Sequence, residues 1–360
     1  MKKDKNCRST VCRRASIGGQ ALMEGIMMRG PLKSAMAVRR PNGSICFEEE
    51  MNEKKPRPKI LRLPLIRGVV GFVDSMRLGY KYLMRSADIF MEEDTSAADA
   101  DAPADAGGEQ GAEEKAEPKS TVSAATMAVI TVVATVLGVA LALLLFFWLP
   151  TFIYQLLADR VLPDGLAGSR LARSVFEGLF KILILVAYMA LVSLMKDIRR
   201  TFMYHGAEHK TIFCYERGLP LTVENVRAQR RFHPRCGTSF LILMLLVSIV
   251  LGLFIPVQFW GLTGALNTLV RAAFKILLIP VMMGVGYELL KLAGRYDNVF
   301  TRIISAPGMW LQRITVREPD DGMIECAIMA FVAVMPEEER AEYLVADAPV
   351  AEESTDTQAE

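Results

Sequence analysis

The sequence predicts a mainly α-helical, multi-pass membrane protein of about four transmembrane helices, with a small β-containing cytoplasmic unit formed by its N-terminal and C-terminal segments. Three observations carry this reading. Of the 360 residues 52% are hydrophobic and only 23% charged, and the mean hydropathy is +0.27, a balance unlike that of an ordinary soluble enzyme. Residues 127–149, MAVITVVATVLGVALALLLFFWL, run 23 positions without a charge, enough at about 1.5 Å per residue to cover a hydrocarbon core of about 30 Å. Asn42-Gly43, the pair that best tolerates the positive φ of a tight hairpin, divides two short alternating runs in 35-AMAVRRPNGSICFEEE-50.

Residues 1–60 are expected to form the β-rich unit, with 17-IGGQALMEGIMMRGPLKSAMAV-38 supplying further extended segments. Residues 61–91 place Ile66, Val69, Val70, Val73, Met76 and Tyr80 at helical spacing beside Arg67, Arg77, Lys81 and Arg85. That pattern is a basic amphipathic helix, lying on the inner leaflet or packed on the other cytoplasmic elements. Residues 92–120 are an acidic, disordered linker, with ten acidic residues against one lysine between 92 and 117, and 336–360 form a similar tail. The transmembrane domain covers 121–300, with spans at about 127–149, 175–195, 239–259 and 272–292. Glu177 and Lys181 are expected to snorkel to the interface, and the fourth span is the weakest because 12 residues separate Lys275 from Glu288. Residues 301–335, too polar to span and too apolar for disorder, fold back on the N-terminal unit.

No signal peptide precedes the first span. Residues 1–90 carry 19 Lys and Arg and residues 196–235 carry nine, whereas 150–174 carry three and 257–271 one, so both termini and the loop 196–238 are placed in the cytoplasm of a cell-membrane protein. All six cysteines fall on that reducing side, which argues against disulfides. The apolar spans make the lipid bilayer the main expected partner, no nucleic acid is expected, and no nucleotide-binding glycine loop is present. A homo-oligomer and a protein partner or substrate are left open.

The chemistry concentrates in 204-YHGAEHKTIFCYE-216. All three histidines of the chain, His205, His209 and His233, lie within 29 residues. His205 and His209, four apart, share a helix face, as two imidazoles on one Zn²⁺ must. With Glu208 they spell H-x-x-E-H, the order in which a glutamate serves as general base of a metallopeptidase. A third ligand comes from His233 or Cys236 in 231-RFHPRCGTSF-240, or from Cys214. Glu24 among glycines and Glu288 inside the fourth span are further acidic candidates. These residues predict a membrane-anchored hydrolase using zinc or another divalent transition metal. The competing reading is a membrane scaffold or regulatory protein, with four ligands closing a structural site or with no metal. A transporter is disfavoured, since the first three spans carry almost no ionisable residues.

GGQALMEGIMMRGP, LPLIRGVVGFVDSMRLG, YHGAEHKTIFCYE, RFHPRCGTSF and SAPGMWLQRITVREPDD together resemble the YqhQ-like family of bacterial membrane proteins, over roughly residues 15–90 and 120–335. The resemblance implies a multi-pass membrane protein and a metal-dependent enzyme without an established substrate. It carries over to Glu24, His205, Glu208, His209, His233 and Cys236.

Overall fold

The computed structural model describes residues 15–52, 58–100, 124–296 and 298–343. The chain divides into two units. One comprises residues 1–97, 186–244 and 280–360, the other 98–185 and 245–279.

The first unit is built on an antiparallel meander of β1 (Gly18–Leu22), β2 (Gly25–Arg29), β3 (Lys33–Arg39) and β4 (Ile45–Met51), in the order β1-β2-β3-β4. The expected hairpin joins β3 to β4, with Gly43 at φ +87 and the Asn42 side chain accepting from the Ser44 amide at 2.7 Å. Strand alternation sends Ile26, Met28, Ala35 and Ala37 to one face and Leu22, Met27, Met36 and Val38 to the other, and both faces are buried. The second face receives α1 (Ile66–Ala100) through Leu78, Tyr82 and Ile89. The stripe read from the sequence does not pack there. Val73, Met76 and Tyr80 lie on the outer side of the helix, 55–63% exposed, so α1 has apolar residues on two faces. The helix also takes in the first nine residues of the expected linker, and residues 101–120 fall outside the described ones.

Twelve further helices follow: α2 (Ala124–Leu143), α3 (Leu149–Arg160), α4 (Asp164–Ala167), α5 (Arg170–Val192), α6 (Lys196–Glu216), α7 (Val223–Arg227), α8 (Gly237–Gly252), α9 (Gly264–Leu277), α10 (Ile279–Arg295), α11 (Val299–Thr315), α12 (Asp321–Val334) and α13 (Glu337–Tyr343). A wide π turn at Leu144–Trp148 joins α2 to α3, ahead of Pro150, whose ring would collide with the i−4 carbonyl in an ordinary turn. Val129–Arg160 and Arg170–Val192 are long and apolar enough to cross a membrane. The other two expected spans are interrupted by proline. Pro256 follows the end of α8, which at 16 residues is short of a full crossing, and α9 and α10 meet at Leu278 with a 43° bend, Pro280 in the first turn of α10 having no N–H to continue the α9 ladder, so that pair makes a third span only if taken together.

In the second unit α5 lies tightly on the C-terminal half of α8. A Cβ at Gly178 would fall 2.0 Å from Ile249 Cγ1, and the Ser174 hydroxyl donates to the Ile249 carbonyl at 2.5 Å, the small-residue contact by which apolar helices approach closely. Glu177 and Lys181, expected to snorkel, are instead packed inside the unit. They are 4% and 7% exposed, and the Glu177 carboxylate accepts from Lys275 and Arg173.

Returning to the first unit, α12 folds back onto β2, β3 and α6, as the C-terminal segment was expected to do. Its Ala/Ile/Met-rich surface is almost entirely buried. Order extends into the segment expected to be a disordered tail. Tyr343 of α13 packs 4.9 Å from the Tyr215 ring, and its carbonyl accepts from the Leu221 amide at 3.0 Å. One aromatic anchor thus offsets the acidic composition of residues 337–343, and the remainder of the tail is outside the described residues.

Candidate metal centre

The chain leaves the helix at Ser193, passes through extended backbone at Met195 and re-enters it at Lys196, so α6 is separate from α5. From Tyr204 to Tyr215 nearly every α6 side chain is buried, because the helix is packed against α12, the sheet and the segment before α8. Gly206 permits this. A Cβ there would lie 2.0 Å from the Arg317 carbonyl oxygen.

On this helix His205 and His209 stand one turn apart, their rings 4.5 Å centre to centre. Cys236 completes the group. One donor atom each from His205, His209 and Cys236 lies within 4.8 Å of the others. The hydrogen bonds fix which atoms these are. His205 Nδ1 lies 3.0 Å from the Thr315 carbonyl, and His209 Nδ1 contacts the Arg231 carbonyl. A carbonyl only accepts, so each Nδ1 carries the proton and each Nε2 presents a lone pair, which His205 directs at Cys236 Sγ, 3.1 Å away. Carbonyl-anchored imidazoles aimed at one thiol are the arrangement that metal ligands adopt. Burial lowers the pKa of His209, keeping it in the neutral form a metal needs.

His233 is close but differently occupied. Its ring lies 5.6 Å from that of His209, while its Nδ1 accepts from the Arg235 amide at 3.2 Å and its Nε2 faces Glu216, 3.7 Å from Oε2. Among the described residues it therefore lies outside the cluster of donor atoms formed by His205, His209 and Cys236. Glu216 is held by Arg235 and by the Ala15 amide at 2.9 Å; burial pushes its carboxyl up, but His233 first, then Arg235 and that amide, bring it below the usual range. Cys214 points instead into the core beneath α6, 3.4 Å from the Pro220 carbonyl, and burial pushes its thiol up to about 12.

Glu208 enters the site from the same helix. Its carboxyl is 7% exposed, accepts from the Gly19 amide at 3.0 Å and has a pKa raised by burial, partly offset by His205 and that amide. With His209, His233, Arg235, Cys236 and Gly18-Gly19 it lines a pocket of about 140 Å³. The other two acidic candidates are elsewhere. Glu24 occupies the β1–β2 turn at φ 49 and binds Arg200 through both oxygens, while Glu288 accepts from Arg67 of α1, with Nε at 2.7 Å. Both are ion pairs that tie elements together.

Gln312 carries a part that no sequence pattern announces. Fully buried on α11, its amide accepts from His233 N at 2.8 Å and donates to His233 O at 2.8 Å, clamping the backbone three residues before Cys236. The Gly19 amide and the Thr315 and Arg231 carbonyls were likewise invisible in the sequence, since backbone groups have no residue-type signature.

A family model described as a protein of unknown function, DUF1385, matches residues 63–337. The chain belongs to the DUF1385 family. The chain is also 31% identical over 324 residues to the uncharacterized protein YqhQ of Bacillus subtilis (strain 168), covering 87% of this chain and 90% of that relative. The family resemblance read from the motifs is thereby borne out. No solved structure matches the chain.

Proposed function

We propose that this DUF1385 member is an integral membrane, metal-dependent hydrolase with a cytoplasmic site, in which His205, His209 and Cys236 hold a divalent transition metal ion and Glu208 is the general base. One observation supports it above the others: two histidines whose Nδ1 atoms are tied to carbonyls while their Nε2 lone pairs face a buried cysteine. Soft sulfur with two imidazoles suits zinc. When bound, the ion supplies Lewis acidity toward a carbonyl or phosphoryl oxygen and acidifies water. The chain's own residues do the rest. Glu208, desolvated and fixed by the Gly19 amide, takes a proton from water and returns it to the leaving group, while Arg235 and the walls of the small pocket exclude bulk solvent.

Three protein donors, with His233 engaged by Arg235 and Glu216, favour an open coordination position over the closed four-ligand scaffold site. The apolar helices and the exposed Val129–Leu141 surface support membrane association, with both termini and α6 on the cytoplasmic side by the distribution of Lys and Arg. Elemental analysis of the purified protein beside a His205→Ala/His209→Ala variant tests the reading. Near-stoichiometric metal is expected in the first and little in the second, and Glu208→Gln is expected to keep metal while losing activity. Equally negligible metal in both proteins would remove the basis for a metal enzyme.

A further inference from the structure

The second unit holds a cluster of buried charges that the metal centre does not use. Arg173 and Lys181 on α5 and Arg271 and Lys275 on α9 are each 3–7% exposed and surround a single carboxylate, Glu177, itself 4% exposed. Glu177 accepts from Arg173 Nε at 3.1 Å and from Lys275 Nζ, and Arg271 Nη2 lies 3.9 Å away. Lys275 also donates to Thr151 Oγ1 at 2.8 Å, and Arg271 to the Pro256 carbonyl. Asp159, the other acidic side chain described in this unit, is exposed. Among the described side chains, four buried cations therefore face one buried anion, a formal excess of three positive charges.

Such an excess is costly in an apolar helical unit. Each unbalanced ion gives up hydration worth several kcal/mol and is retained only with a partner. Two of the arginine nitrogens have none. Arg173 Nη2 and Arg271 Nε are buried and donate no hydrogen bond to any of the described residues. Lys181 is neutralised no better, its Nζ standing 5.5 Å from the Phe147 ring centroid. Guanidinium groups present planar, paired donors matched to oxyanions, and lysines add point charge, which is the donor set for a phosphate. Ionisable residues inside apolar helices mark ligand or ion sites by default.

We propose that Arg173, Lys181, Arg271 and Lys275 form a binding site for a phosphate-class oxyanion, either the headgroup phosphate of an anionic lipid or a free phosphate. Glu177 is the internal counter-ion that holds the cations in place, and the ligand supplies the remaining negative charge. The site is independent of the metal centre and of any hydrolytic role.

The full chain in phosphatidylcholine nanodiscs provides the test, read as the unfolding midpoint on adding inorganic phosphate or on including phosphatidylglycerol in the disc. At about a hundredfold excess over Kd a bound anion is expected to raise the midpoint by roughly 5–10 °C. A rise with inorganic phosphate identifies a free-oxyanion site, and a rise with phosphatidylglycerol alone identifies a headgroup site. Among the described residues Lys181 makes no ion pair within 4 Å, so Lys181→Gln is expected to fold and to lose most of the shift, whereas Lys181→Arg keeps it. The proposal is overturned if neither anion moves the wild-type midpoint, or if Lys181→Gln responds as fully as wild type.

Discussion

Replacing Gly206 by alanine sets local and tertiary preferences against each other at the candidate metal centre. Gly206 lies in the middle of α6, between His205 and Glu208, where helix propensity alone makes alanine more stable by about 1 kcal/mol. The packing argues the opposite. The added Cβ would sit 2.0 Å from the Arg317 carbonyl oxygen and 3.3 Å from Pro319 Cδ, and the Arg317 backbone is itself held by its amide donating to the Phe202 carbonyl at 2.8 Å. A carbon and a carbonyl oxygen need well over 3 Å, so helix and strand-like backbone must part by roughly 1 Å, an overpacking that costs about 3 kcal/mol at the upper end of the usual range. Set against the propensity gain, the net destabilisation is about 2 kcal/mol, or a midpoint lowered by roughly 4–8 °C for a body of this size. The same separation draws His205 Nδ1 away from the Thr315 carbonyl, so metal content is expected to fall with stability. Thermal unfolding of the purified protein with parallel elemental analysis reads both. An unchanged or raised midpoint would refute the packing argument, because propensity would then have won.

Other outcomes follow from the same geometry. Gln312→Leu leaves the buried amide and carbonyl of His233 without partners, at about 1–3 kcal/mol each, so a fall in unfolding midpoint of roughly 4–24 °C is expected in thermal denaturation. Glu216 has a lowered carboxyl pKa in the folded protein, so its ionised form favours folding. That contribution is complete above the ordinary carboxylate range of about 4.3 and is lost as pH falls through its lower folded value. Unfolding midpoints of wild type and Glu216→Gln are therefore expected to differ near neutrality and to converge in acid. Burial holds the thiols of Cys214 at about 12 and Cys326 at about 11, so peptide mapping after brief alkylation at mildly alkaline pH is expected to find both unmodified while the partly exposed Cys46 reacts. Rapid labelling of Cys214 in folded protein would contradict the packing beneath α6.

Much of this molecule was legible in its residues because the signals are local. The Asn42-Gly43 hairpin, the helical character of residues 66–91 (though not the face it buries) and the long apolar run from 127 follow from turn chemistry, a 3.6-residue period and simple length. The i, i+4 spacing of His205 and His209 and the suitability of Cys236 were also there to be read. Proline was the local signal given too little weight. Pro256 and Pro280 interrupt two apolar stretches that hydropathy averages across.

What the sequence determined by itself is therefore periodicity, apolar length and an inventory of donors. Tertiary structure decided the rest, because convergence depends on backbone groups and burial that carry no residue label. It separated Cys236 from His233 through the Arg235 amide and Glu216, and it placed the Thr315 and Arg231 carbonyls where they orient two imidazoles. It gave Glu24 and Glu288 to ion pairs with Arg200 and Arg67. It also gathered Arg173, Lys181, Arg271 and Lys275, about a hundred residues apart, around Glu177. Charges that a linear reading sends separately toward water share one buried environment, where each is stabilised only by its neighbours.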